Sequence, residues 1–177
     1  MRLKGWKLTF ELDLVGYQFP KSENEASDWL KIRLVLVHGG ERWEKVDPAL
    51  LTFEVQWLTE WLHQVAAQAE VFRTWRSGRL TSRIFFTEPN LSLEALSGSL
   101  GGEALTLRVY LAAEFLPPFV KELDAMKLDN DPAEAWLDFP ADAADLQQAA
   151  AALTEALTLF PVRAGLPHRS SSQPQGD

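Results

Sequence analysis

The chain is predicted to fold as α+β: a curved antiparallel sheet or partly open barrel of about six to eight strands, with one central and one C-terminal helix. Three observations predict this. Apolar residues alternate with polar ones at period two through residues 8–14, 30–37 and 105–113. Two other stretches, 51–69 and 146–160, change to the three-and-four spacing of an amphipathic helix. Strand patterns come in runs separated by turn residues instead of alternating one by one with helices, which favours antiparallel pairing over a parallel sheet.

Leu8, Phe10, Leu12 and Leu14 face one way and Thr9, Glu11 and Asp13 the other, which makes the first strand half wet. Residues 16–27 are turn-rich around Pro20. Leu30, Ile32, Leu34 and Leu36 form the apolar face of a second strand, with Lys31, Arg33, Val35 and Val37 opposite. Gly39-Gly40 signals a hairpin into a short strand over residues 42–46, which Asp47-Pro48 stops.

Thr52 is placed to cap the central helix, with Glu54 in its first turn. Leu51, Val55, Leu58, Leu62, Val65 and Ala69 are its core stripe. Phe53, Trp57 and Trp61 form a second stripe, read as covered by loops or a sheet edge, the alternative being an exposed aromatic patch. Residues 72–86 read as a hairpin turning at Ser77-Gly78. Leu91, Leu93 and Ala95 give a short strand. The strict alternation of Leu105, Leu107, Val109, Leu111 and Ala113 gives a central one, ended by Pro117-Pro118. Residues 119–132 are an irregular acidic connection and 136–139 a last short strand. The C-terminal helix opens at Asp142 with Asp145 in its first turn. It buries Leu146, Ala150, Leu153, Leu157 and Phe160, and ends at Pro161.

A length of 177 residues fits a single domain over 1–163, with 164–177 a disordered Ser-, Gln- and Pro-rich tail. The absence of Cys rules out disulfides, Cys-based zinc sites and thiol catalysis. The first residues hold no apolar signal segment, and no run approaches the roughly 18 apolar residues of a membrane span, so the expected location is the cytoplasm. Charge is unevenly distributed. Residues 1–88 hold 12 basic and 12 acidic side chains, whereas 89–177 hold 5 and 13, so the second half carries the entire net charge of −8. Such asymmetry steers a basic partner and repels nucleic acid.

Catalytic, metal and cofactor sites are all read as absent. His38, His63 and His168 lack ligand spacing, and no Gly-x-Ser-x-Gly elbow occurs. Arg73, Arg76, Arg79 and Arg83 flank Trp75 in a pattern that suits RNA, but the preferred reading pairs them with the acidic half of the same chain. Glu122, Asp124, Asp129, Asp131, Glu134, Asp138, Asp142 and Asp145 face only Lys127 as a base across residues 122–145. That run is either solvated surface or a patch that docks on a basic protein. A calcium loop at Asp129-Asn130-Asp131 lacks the required glycine and twelfth-position Glu.

Several phrases in order resemble the WapI family of bacterial immunity proteins. They are Val15-Gly16-Tyr17-Gln18-Phe19-Pro20, the Trp29-Leu30-x-Ile32-x-Leu34 strand, and Trp43 with Asp47-Pro48-x-Leu50-Leu51-Thr52-x-Glu54-Val55. Glu88-Pro89-Asn90-Leu91, Leu107-Arg108-Val109-Tyr110 and the closing Phe160-Pro161 complete the set. The resemblance implies a non-catalytic, intracellular antitoxin that binds and neutralises a cognate toxin domain, and the acidic half fits a basic nuclease toxin. It transfers no binding residues. The interface expected from charge and aromatic content is Glu122, Asp124, Asp129, Asp131, Glu134, Trp136 and Asp138, with Trp57 the alternative aromatic anchor. Two rivals are a small-ligand-binding β-barrel lined by Trp and Phe, and a hydrolase built on Glu88 and Glu94.

Overall fold

A computed structural model describes residues 1–21, 28–98, 104–119 and 134–163. A meander of four strands followed by a helix occurs twice. The first meander is β1 (Arg2–Gly5), β2 (Leu8–Tyr17), β3 (Trp29–His38) and β4 (Glu41–Leu51), leading into α1 (Thr52–Ala67) and the short α2 (Ala69–Thr74). The second is β5 (Thr81–Phe85), β6 (Leu91–Leu96), β7 (Leu105–Ala112) and β8 (Glu134–Ala141), leading into α3 (Ala143–Leu157). Each meander is one four-stranded antiparallel sheet in sequential order.

The α+β class and the eight strands agree with the sequence. The curved sheet or partly open barrel agrees only in part, because the strands divide into two sheets at the helical segment between β4 and β5 and, among the described residues, close no barrel. The sheets adjoin where β1 meets β8: a Cβ on Gly5 would stand 3.5 Å from the Asp138 carbonyl oxygen and 3.5 Å from the Phe139 ring. Helices α1 and α3 pack on each other. Between sheets and helices the interior is filled by Phe10, Leu34, Leu58, Leu107, Phe115, Phe139 and their neighbours, where the barrel reading expected room for a ligand.

Six local expectations are corrected. β1 is an additional strand, joined to β2 by the tight Trp6-Lys7 turn with Lys7 at φ +57°. β4 does not stop at Asp47-Pro48 but runs to Leu51; it is an edge strand with a register shift opposite Leu30 and Lys31, where a proline's missing donor is tolerated. Residue 52 is not the cap: Leu51 is, and Thr52 is buried inside the helix, its hydroxyl donating to the Asp28 carbonyl at 3.1 Å. Residues 72–86 are not a hairpin. Phe72 to Thr74 belong to α2, where Arg73 pairs with Glu70 one turn earlier, and only β5 is extended. β7 ends at Ala112, ahead of the two prolines, because Ala113 turns to φ +49° and opens a 3₁₀ turn through Phe115. β8 is also longer than the expected 136–139.

The second aromatic stripe of α1 is covered, as preferred. Phe53 and Trp57 are half-buried edge to face at 4.8 Å, and the buried Trp61 donates its indole N–H to the Ser82 hydroxyl at 2.9 Å. The start of α3 at Asp142 is as expected, and Asp142 caps it. Its carboxylate accepts from Asp145 N–H at 2.9 Å and Asp145 returns the bond at 3.1 Å.

Candidate protein-binding face

The core side of the second sheet is apolar, and its outer side carries, beyond the Thr81, Leu96, Thr106 and Pro140 row, two rows of charged and aromatic side chains running across all four strands. Strand register sets Arg83, Glu94, Arg108 and Asp138 side by side, so charges alternate in sign from β5 to β8. The next row is Phe85, Ser92, Tyr110 and Trp136. Opposite charges on neighbouring strands attract, and aromatic rings beside them give the guanidinium planes a surface to lie on.

The rows interlock. Arg108 grips Asp138 with two hydrogen bonds, at 2.7 and 2.9 Å, and lies 5.1 Å from the Trp136 ring centre. Arg83 sits 3.7 Å over Tyr110 and 4.5 Å over Phe85, donates to the Ser92 hydroxyl at 2.8 Å, and meets Glu134 at 3.6 Å. Glu94 is only 7% exposed, yet its carboxylate is well supplied with donors. The Tyr110 hydroxyl donates to it at 2.5 Å, the Thr81 hydroxyl donates to its other oxygen, and Arg79 approaches at 3.4 Å. Burial, together with the bond to Glu94, pushes the Tyr110 phenol above its ordinary pKa. Burial alone would lower the Arg108 pKa, but its bonds to Asp138 and Tyr110 outweigh that and raise it.

Of the residues expected at the interface, Glu134, Trp136 and Asp138 are brought together, since positions two apart on β8 share a face. Glu122, Asp124, Asp129 and Asp131 lie outside the described residues, as does the tail. The sequence reading assigned no binding role to Arg108, Tyr110 or Phe85 and read Glu94 only as a hydrolytic carboxylate. Their signal is the polar alternation of Thr106, Arg108 and Tyr110, which becomes a surface only once register sets it beside β8. The preferred reading of the four arginines holds for two: Arg79 and Arg83 pair with Glu94 and Glu134 of the acidic half. Arg73 pairs instead with Glu70, and Arg76 donates to the carbonyls of Arg73 and Trp75. Glu88 lies in the turn ahead of β6, off the charged row. A shallow depression of about 330 Å³ opens beside the row, lined by Arg79, Ser97, Gly98, Thr106, Arg108 and Asp138.

Among the described residues no group of three or more His, Asp or Glu side chains could hold a metal ion, and no helix is long and apolar enough to cross a membrane. What the face offers is Arg, Tyr and Trp around buried polar bonds, residue types enriched in protein-binding hot spots.

A family model described as the immunity protein WapI-like family matches residues 2–161. The chain belongs to that family. The match covers both meanders and the three helices of the described residues. No curated protein matches the chain. A solved structure described as "Structure of the plant transcriptional regulator PBF-2" shares 10% identity over 92% of this chain and 87% of that one, with a TM-score of 0.35. That likeness is too loose to bear on fold or function.

Proposed function

We propose that this WapI-like chain is a cytoplasmic, non-catalytic antitoxin that binds and blocks a cognate toxin domain, and that the toxin is a basic nuclease. The family supports the immunity role. The observation that carries the interface is the outer row of β8, where Glu134, Trp136 and Asp138 flank one another with Trp136 as the aromatic anchor. The acids Glu122, Asp124, Asp129 and Asp131 of the preceding connection extend the same footprint in this reading. Complementary charge would speed encounter with a basic groove and make association salt-dependent.

The deciding experiment co-expresses the chain with the toxin domain encoded immediately upstream of its gene. Growth rescue and a co-purifying complex that weakens at high salt are the expected result. Reversing Asp129 and Asp131 to lysine should slow association and flatten its salt slope. Failure to rescue, with no complex, overturns the immunity role; an unchanged rate and salt slope in the reversed variant overturns the acidic footprint alone.

A further inference from the structure

Three of the four sheet edges are closed to another strand. β1 and β8 abut one another at Gly5. β4 carries Pro48 and, on its core-facing side, the Lys45–Asp47 ion pair at 2.9 Å; proline and inward-pointing charge are the usual guards of an edge. β5 has no such guard: its five residues contain no proline, and its register with β6 is unbroken.

The phase of the β5–β6 ladder is fixed by Ser97 N–H, which donates to the Leu80 carbonyl at 2.8 Å. Bonded pairs alternate in an antiparallel ladder. Ser82 and Ile84 therefore bond to Ala95 and Leu93, while the N–H and C=O groups of Thr81, Arg83 and Phe85 point away from β6. Among the described residues these groups meet no backbone partner. The same three residues place their side chains on the outer face, and Phe85 is 64% exposed.

We infer that β5 receives an extended strand of the toxin, whose alternate side chains carry carboxylates toward Arg83 and Arg79. This rests on the immunity reading above. The chemistry of the occupant comes from charge. No acid lies between Glu70 and Glu88, while Arg73, Arg76, Arg79 and Arg83 do. Arg76 bonds only to carbonyls, Arg79, with its side chain 59% exposed, touches Glu94 at just 3.4 Å, and Arg83 meets Glu134 only at 3.6 Å, so an incoming carboxylate competes with long ion pairs. A second copy of this chain is the wrong occupant. The two-fold pairing that uses all five residues of β5 sets Arg83 opposite Arg83 of the copy, and like charges directly opposed destabilise a strand pair. The footprint is thus bipolar, taking cations of the toxin at β8 and carboxylates at β5.

Amide hydrogen exchange, measured by NMR on the free chain and on its complex with the upstream-encoded toxin domain, tests this without a mutation. In the free chain Thr81, Arg83 and Phe85 should exchange fast and Ser82 and Ile84 slowly. In the complex the first three should gain protection of about tenfold or more. The variants Phe85→Pro and Arg83→Glu, checked for an unchanged circular-dichroism spectrum, should each weaken the complex about tenfold. A complex that forms with those three amides still exchanging fast overturns the strand addition and leaves the immunity role standing. No complex at all overturns both. Protection that rises with the free chain's own concentration would assign the edge to a second copy and overturn the toxin as occupant.

Discussion

Glu54 shows how much one side chain can organise. It is 1% exposed, and its two oxygens accept from Leu51 N–H at 2.8 Å, Thr87 N–H at 2.6 Å and the Thr87 hydroxyl at 2.8 Å. One carboxylate therefore caps α1 and ties it to the turn that leads from β5 into β6. Glu54→Ala would strand those donors in the interior, and its expected cost is roughly 2–4 kcal/mol. Urea denaturation checks it: the midpoint should fall with the slope unchanged, and a loss below about 1 kcal/mol would mean that the turn rebuilds its bonds without the carboxylate. Tyr110 gives a second test. Its phenol is neutral in the folded state and its pKa is raised by burial and by the bond to Glu94. The stabilisation it lends is complete below the ordinary tyrosine pKa and is lost as pH climbs through the higher folded value. The chain has two tyrosines, so subtracting the 295 nm titration of Tyr110→Phe from that of the parent isolates this one. The difference curve should rise only above about pH 10. A transition at or below that value would mean that the phenol is not held in this network.

Elements whose rules are local were legible in the sequence, and elements governed by register were not. The start of α3 at Asp142 needs only its own first turn, and it is where the sequence placed it. Asp142→Ala should cost about 1 kcal/mol, read as a lower thermal midpoint; a neutral result would mean that the Asp145 bond to residue 142 N–H suffices. The stripe Val55, Leu58, Leu62 and Val65 and the inward faces of β2, β3 and β7 were equally plain, since alternation survives any arrangement of neighbours. Thr52 misled because it looks like a cap, yet a more distant group, the Asp28 carbonyl, takes its hydroxyl. Pro48 misled because proline ends a central strand but not an edge, and edge status belongs to the sheet. The outer rows of the second sheet stayed hidden for the same reason. Arg83 and Asp138 become the two ends of one charged row only after three pairings have been set.

The two meanders are joined by helix packing, by the β1–β8 seam, and by a clasp that brings the end of the described chain back to the first sheet. Beyond α3, the Arg163 N–H donates to the Asp28 carboxylate at 2.6 Å, and its guanidinium lies 3.4 Å over the Tyr17 ring and donates to the Pro20 carbonyl at 3.1 Å. The Tyr17 hydroxyl donates to the Pro161 carbonyl, and its ring meets Phe160 edge to face at 5.6 Å. Apart from the bond to the buried Asp28, these contacts are at the surface and hold a short segment, so they set local rather than global stability. Arg163→Ala should leave the urea midpoint within about 0.5 kcal/mol of the parent, because surface substitutions rarely cost more. The segment after Leu157 should nevertheless open more often. Limited trypsin digestion would not report this cleanly, since the substitution itself removes a cleavage site. Chymotrypsin acting after Leu159 would, since Pro161 blocks cleavage after Phe160, and cleavage there should speed up about threefold or more if the clasp contributes even 0.7 kcal/mol. Equal cleavage rates would show that Tyr17 and Asp28 keep the segment in place unaided. Tyr17→Phe, which removes only the hydroxyl bond to Pro161, would then be the variant that separates the two contributions.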